Sequence, residues 1–69
     1  MVDFAARLRA LADERGLQPA DVFALLRKHS DISFSSVDRW FRGDRMPRLE
    51  HARALADVFQ ISLDELYPS

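Results

Sequence analysis

The stretch that decides the fold is ISFSSVDRWFRGDRMPRLE, residues 32–50, followed one helix later by ISLDEL, residues 61–66. Ser33 stands where a hydroxyl would cap a short helix. That helix carries Val37 and Trp40 inward and points Phe34, Ser35, Asp38 and Arg39 outward. Gly43 supplies its left-handed stop, and an arginine-bearing turn leads on to Pro47. A short helix with small polar residues at its start and arginine further along has the size and chemistry that fit a DNA major groove.

On the C-terminal side, Pro47-Arg48 leads into a fourth helix whose apolar face is Leu49, Ala52, Leu55, Ala56 and Phe59. Ser62 caps a last short helix, and Glu65 three residues on completes a capping box. Ile61, Leu63 and Leu66 then close the core before Pro68-Ser69. On the N-terminal side, Ser30-Asp31 makes a turn and Ile32 is a hydrophobic anchor. The second helix opens at Gln18-Pro19, since Pro suits a first helical turn, and Asp21 complements the dipole there. It is expected to run to Lys28 or His29, with Val22, Phe23 and Leu26 inward and Leu25 toward solvent. The first helix runs from Asp3 as N-cap to Gly16 as stop, with Phe4, Leu8, Leu11 and Ala12 at i, i+4, i+7 and i+8. No strand pattern, repeat or low-complexity tract interrupts this order. The reading is an all-α, compact five-helix single domain over residues 1–69.

Composition narrows the function. The chain has 69 residues, one small domain near the lower limit for a single core. Its 48% hydrophobic content supports packing, and the few Gly and Pro argue against disorder. With no cysteine there is neither a disulfide framework nor a zinc–cysteine site. The apolar runs are too short to span a membrane or to form a signal peptide, so a cytoplasmic protein is expected.

The net charge of −1 argues against nucleic acid if taken alone. Its distribution points the other way. Residues 27–53 hold seven cations (Arg27, Lys28, Arg39, Arg42, Arg45, Arg48, Arg53) against Asp31, Asp38, Asp44 and Glu50, a balance of +3. Residues 1–26 balance at −1, and residues 54–69, with only Asp57, Asp64 and Glu65, at −3. The positive charge gathers around the decisive helix, and the acidic tail is expected to lie away from phosphate.

With these elements in place, the pattern resembles the Cro/C1-type (XRE-like) helix-turn-helix family. The matching residues are Arg15-Gly16-Leu17, Ile32-Ser33, Val37, Arg39-Trp40, Gly43, Arg45 and Pro47, then Leu55-Ala56, Phe59, Ile61-Ser62 and Leu63-Asp64-Glu65-Leu66. The resemblance runs from about Leu8 to Leu66 and implies a lambda-repressor-like fold with its helix-turn-helix at about residues 18–43. Three departures stand out. The segment from Leu26 to Ile32 is about four residues longer than the family's glycine-containing turn, close to one extra helical turn. Phe23 falls where relatives have a small alanine between helices two and three, which would part those helices or shift the alignment by one. Ala12 and Phe41 replace a largely buried Arg–Glu pair, a joint change that avoids stranding one charge at a cost of about 3–5 kcal/mol.

By the same resemblance, bases are read from the first turn of the third helix by Phe34 and Ser35, with Arg39 one turn further on and Asp38 beside it. Arg39 can pair bidentately with guanine O6 and N7, while Ser35 donates or accepts and specifies little. Phe34 either packs on a thymine methyl or contacts helix two. Asp38 either accepts from cytosine N4 or orients Arg39 or Arg42. Phosphate contacts are expected from Gln18, Arg42, Arg45 and Arg48, and from Ser36 unless it joins Ser33 in capping. Trp40 reads as core, with a nucleic-acid contact as the other option. His29 and His51 have no ligand-spaced neighbours, so no metal or other cofactor is expected, and no acid–base pair or nucleophile suggests an enzyme.

The implied function is sequence-specific binding of double-stranded DNA by a small bacterial or phage regulator, most simply a repressor. Its partner is a pseudo-palindromic operator, bound by a homodimer formed at least on DNA. Leu25, Val58, Phe59 and Tyr67 are the candidate dimer contacts, with Phe59 also readable as core. The alternative is a protein-interaction module, an antitoxin or adaptor, on the same scaffold. The residues also fit a domain of a longer regulator.

Overall fold

Asp3 begins the first helix as expected, its Oδ1 accepting the Ala6 N–H at 2.7 Å. The computed structural model describes residues 3–67. It forms five helices: α1 (Phe4–Glu14), α2 (Pro19–Leu26), α3 (Phe34–Arg42), α4 (Leu49–Phe59) and α5 (Leu63–Leu66). No strand occurs among the described residues. α1 and α2 both pack on α3, while α4 packs on α2 and α5. No helix is long and apolar enough to cross a membrane.

The periodic residues form one core. Leu8, Leu11, Val22, Leu26, Val37, Leu55 and Leu66 are fully enclosed, and Trp40 and Phe59 are the largest buried side chains. Ala12 and Phe41 are both buried, and no charged side chain is buried among the described residues. This satisfies the rule that a lone charge is not left in a core.

Four expectations are corrected. α2 ends at Leu26 rather than at Lys28 or His29; residues 27–30 form turns whose N–H groups still donate to Phe23, Leu25 and Leu26 carbonyls. The extra residues therefore coil back on the helix end and swing Ile32 into the core, where it is 8% exposed. Leu49 is 55% exposed, because as the first residue of α4 it overhangs the core, and Ala54 is buried instead. Leu25 is half-buried rather than solvent-facing. At α5, the Glu65 N–H donates to Ser62 Oγ at 3.2 Å, which is one half of the expected capping box. The end at Pro68-Ser69 lies outside the described residues.

Periodicity had no means of showing how the arginines of α1 are used. The last carbonyls of any helix lack intrahelical donors, and cations are favourable beside them. Arg9 Nη1 donates to Phe41 O at the end of α3 at 2.6 Å, and Arg7 Nε donates to Glu65 O of α5 at 2.9 Å. Arg15 donates through Nη1 to Leu11 O (2.9 Å) and through Nη2 to Phe59 O, the end of α4 (3.0 Å). Its guanidinium also lies 5.3 Å from the Phe59 ring centre. α1 and its C-cap residue Arg15 thus tie down the C-termini of three other helices, α3 among them.

Candidate nucleic-acid interface

α3 is delimited at both ends by local chemistry. Ser33 Oγ accepts the Ser36 N–H at 3.3 Å, and the two serine hydroxyls lie 3.2 Å apart, so Ser36 joins the cap. At the other end Gly43 has φ +84°, and the Asp44 N–H closes back on Arg39 O at 2.9 Å. This left-handed termination releases the chain toward Arg45 and Pro47.

Between those ends the expected readers separate into distinct environments. Ser35 and Arg39 are exposed, and Arg39 forms no ion pair among the described residues. Asp38 Oδ2 is 3.1 Å from Arg42 Nε, an i,i+4 pair on the helix surface. Of the two roles open to Asp38, the structure therefore engages it with Arg42. Phe34 is 43% exposed and meets Phe23 edge-to-face at 5.6 Å. Its contact with helix two is present, yet much of the ring remains open. Phe23 accordingly sits on the rim between α2 and α3, half-buried rather than wedged in the core. Val37 and Trp40 are core residues, with Trp40 2% exposed.

Three of the expected phosphate ligands meet in one groove. Ser36, Arg45 and Arg48 line a space of about 510 Å³ together with Trp40, Pro47 and His51, on the α4 side of α3. Met46 also borders it and is 54% exposed. Arg42 lies apart, on α3 with Asp38. Gln18 lies apart too, lining a smaller cleft of about 220 Å³ with Arg9, Ala12, Asp13, Pro19 and Phe41. Its N–H donates to Asp21 Oδ2 at 2.8 Å, so a carboxylate already occupies the α2 N-terminus and opposes a phosphate there.

Sequence reasoning passed over two neighbours of this surface. The His51 ring lies 5.6 Å from that of Trp40, tilted by 40°, and Arg27 lies 5.7 Å over the Phe23 ring. The i,i+4 spacing of Phe23 and Arg27 was the available signal for the second. Of the dimer candidates, Phe59 is core at 2% exposure, Tyr67 packs at a tilt against Phe4 at 5.5 Å, and Leu25 and Val58 are half-buried.

A capped short helix with an exposed polar face, laid across a second helix and flanked by a cationic groove, defines a helix-turn-helix DNA-binding domain. The family model described as helix-turn-helix matches residues 8–66, and the chain belongs to this Cro/C1-type (XRE-like) family. Its five helices fit the lambda-repressor-like fold. No curated protein and no solved structure gives a significant match.

Proposed function

We propose that this domain reads specific double-stranded DNA sequences by placing α3 in the major groove, as a small transcriptional regulator that represses by occupying its operator. The observation that carries this is the outer face of α3, where exposed Ser35 and unpaired Arg39 stand beside a groove bearing Arg45 and Arg48. An α-helix such as α3 is about 10–12 Å across with its side chains, which suits a groove about 12 Å wide. Arg39 is the principal base reader. Phe34 offers its open edge to a thymine methyl, and Ser35 adds a tolerant polar contact. Asp38 acts through Arg42, holding that guanidinium along the helix toward the backbone. Arg45 and Arg48 hold phosphate, Ser36 serves the helix cap instead, and Gln18 contributes weakly because Asp21 stands at the same helix end.

One such helix contacts too few base pairs for strong selectivity, so two copies on a pseudo-palindromic site follow. The exposed large apolar residues among those described are Phe34, Met46 and Leu49. Met46 and Leu49 together fall far short of the ~800 Å² per partner of a standard interface. Dimerisation on DNA, rather than a stable free dimer, is the consistent form. The setting is a bacterial or phage-infected cytoplasm, and no catalysis is involved.

Selection from a random duplex pool at low salt, followed by a salt series on the enriched sequence, tests this reading. Half-sites ~10 bp apart and a steep salt dependence support it. A folded protein that enriches nothing favours a protein partner on the same scaffold.

A further inference from the structure

Arg27, Lys28 and His29 follow α2 directly and are all exposed. The turn that carries them is held by its backbone: the His29 and Ser30 N–H groups both donate to Leu26 O at 2.9 Å, and Lys28 N–H donates to Leu25 O at 3.3 Å. Arg27 is held as well, its guanidinium 5.7 Å from the Phe23 ring centre, and Phe23 meets Phe34 at 5.6 Å. Phe34 is the first residue of α3. These contacts place a cation on the α2 side of the helix start that would read bases. Neither Arg27 nor Lys28 pairs with a carboxylate among the described residues, and Asp31 is the single anion of the connecting segment.

The groove of Ser36, Arg45 and Arg48 flanks α3 on its opposite, α4 side. A duplex presents a phosphate backbone on each wall of its major groove. A helix lying in that groove with cations on both flanks meets both strands. Resting on the DNA-reading function above, we infer that Arg27 and Lys28 form a second phosphate clamp, on the strand opposite the one held by Arg45 and Arg48. The lengthened α2–α3 segment provides it, and it offsets the weak α2 N-terminus, where the Asp21 carboxylate already accepts the Gln18 N–H. Stacking on Phe23 limits the freedom that Arg27 loses on binding.

The test compares the parent, Arg27→Gln/Lys28→Gln and Arg45→Gln/Arg48→Gln on one selected duplex and on a scrambled one, across a salt series and by phosphate ethylation interference. Removing a single cation from a phosphate flattens the slope of log K against log salt by about 0.9. Arg27→Gln/Lys28→Gln is expected to flatten it by about 1 to 2 and to weaken both duplexes by the same factor. Interference should vanish at phosphates of one strand, different from those affected by Arg45→Gln/Arg48→Gln. An unchanged slope, or interference that weakens evenly over both strands, overturns the clamp while leaving DNA reading intact. A parent that binds no duplex overturns both. Should the double variant melt early, Lys28→Gln alone repeats the comparison at an exposed position, with an expected flattening of about 0.9.

Discussion

Replacing Arg15 with Met removes the link that joins the end of α1 to the end of α4 while keeping an aliphatic stem. Two hydrogen bonds from a charged donor disappear, at 2.9 Å to Leu11 O and 3.0 Å to Phe59 O, together with the cation–π interaction at 5.3 Å. Hydrogen bonds to charged groups contribute about 1.5–3 kcal/mol each, and an exposed cation–π pair about 0.5–1 kcal/mol. The Arg15 side chain is 30% exposed, so water recovers part of each bond, and the low end applies. The Glu14 ion pair at 3.4 Å adds little, since Glu14 is 64% exposed. The net expectation is about 3.5 kcal/mol, and at 4–8 °C per kcal/mol for a domain this small, Tm falls by roughly 14–28 °C. Thermal melting by circular dichroism reads this directly. The destabilisation should persist in 1 M salt, because its main part is hydrogen bonding to carbonyls rather than an ion pair. A fall of under 2 °C, or one abolished by salt, refutes the claim that these caps hold the helix ends together.

Arg39→Ala should leave the fold intact and cost about 1–3 kcal/mol of discrimination at one base position, read as the affinity ratio between the selected duplex and its single-base variants. Asp38→Asn frees Arg42 from its 3.1 Å partner and removes a negative charge from the binding face. Scrambled duplex should then lose the ordered Arg42 contact, its salt slope flattening by up to about 0.9, and an unchanged or steeper slope contradicts the orienting role. Gly43→Ala forces an alanine to φ +84° with its Cβ 3.4 Å from Ala5 Cβ. Denaturant melts should show destabilisation by about 1–2 kcal/mol, whereas an unchanged midpoint denies the strain.

Legibility in the sequence followed the range of the interactions. α3 could be read almost to the residue because Ser33 and Gly43 act within one helical turn of the ends they fix. The face carrying Val37 and Trp40 was set by the same local period. The end of α2 was not readable, since no glycine marks it and residues 27–30 keep donating to helical carbonyls. What stops the helix is Ile32 finding the core, a tertiary demand. Leu49 shows the same limit, since a periodic pattern does not say where a helix overhangs the core it covers. Arg7, Arg9 and Arg15 reach carbonyls 58, 32 and 44 residues away, and no spacing rule announces such caps. At the interface, the residue types were legible but their grouping was not. Ser36, Arg45 and Arg48 converge, while Gln18 stands on a different cleft beside its own carboxylate cap.

The central claim is that α3 enters the groove, and amide shift mapping during titration with the selected duplex tests it most directly. The largest perturbations are expected at Phe34–Arg39 and at Arg45–Arg48, with α5 unmoved. Perturbations confined to α5 and the end of α4, with Phe34–Arg39 unchanged, would contradict it.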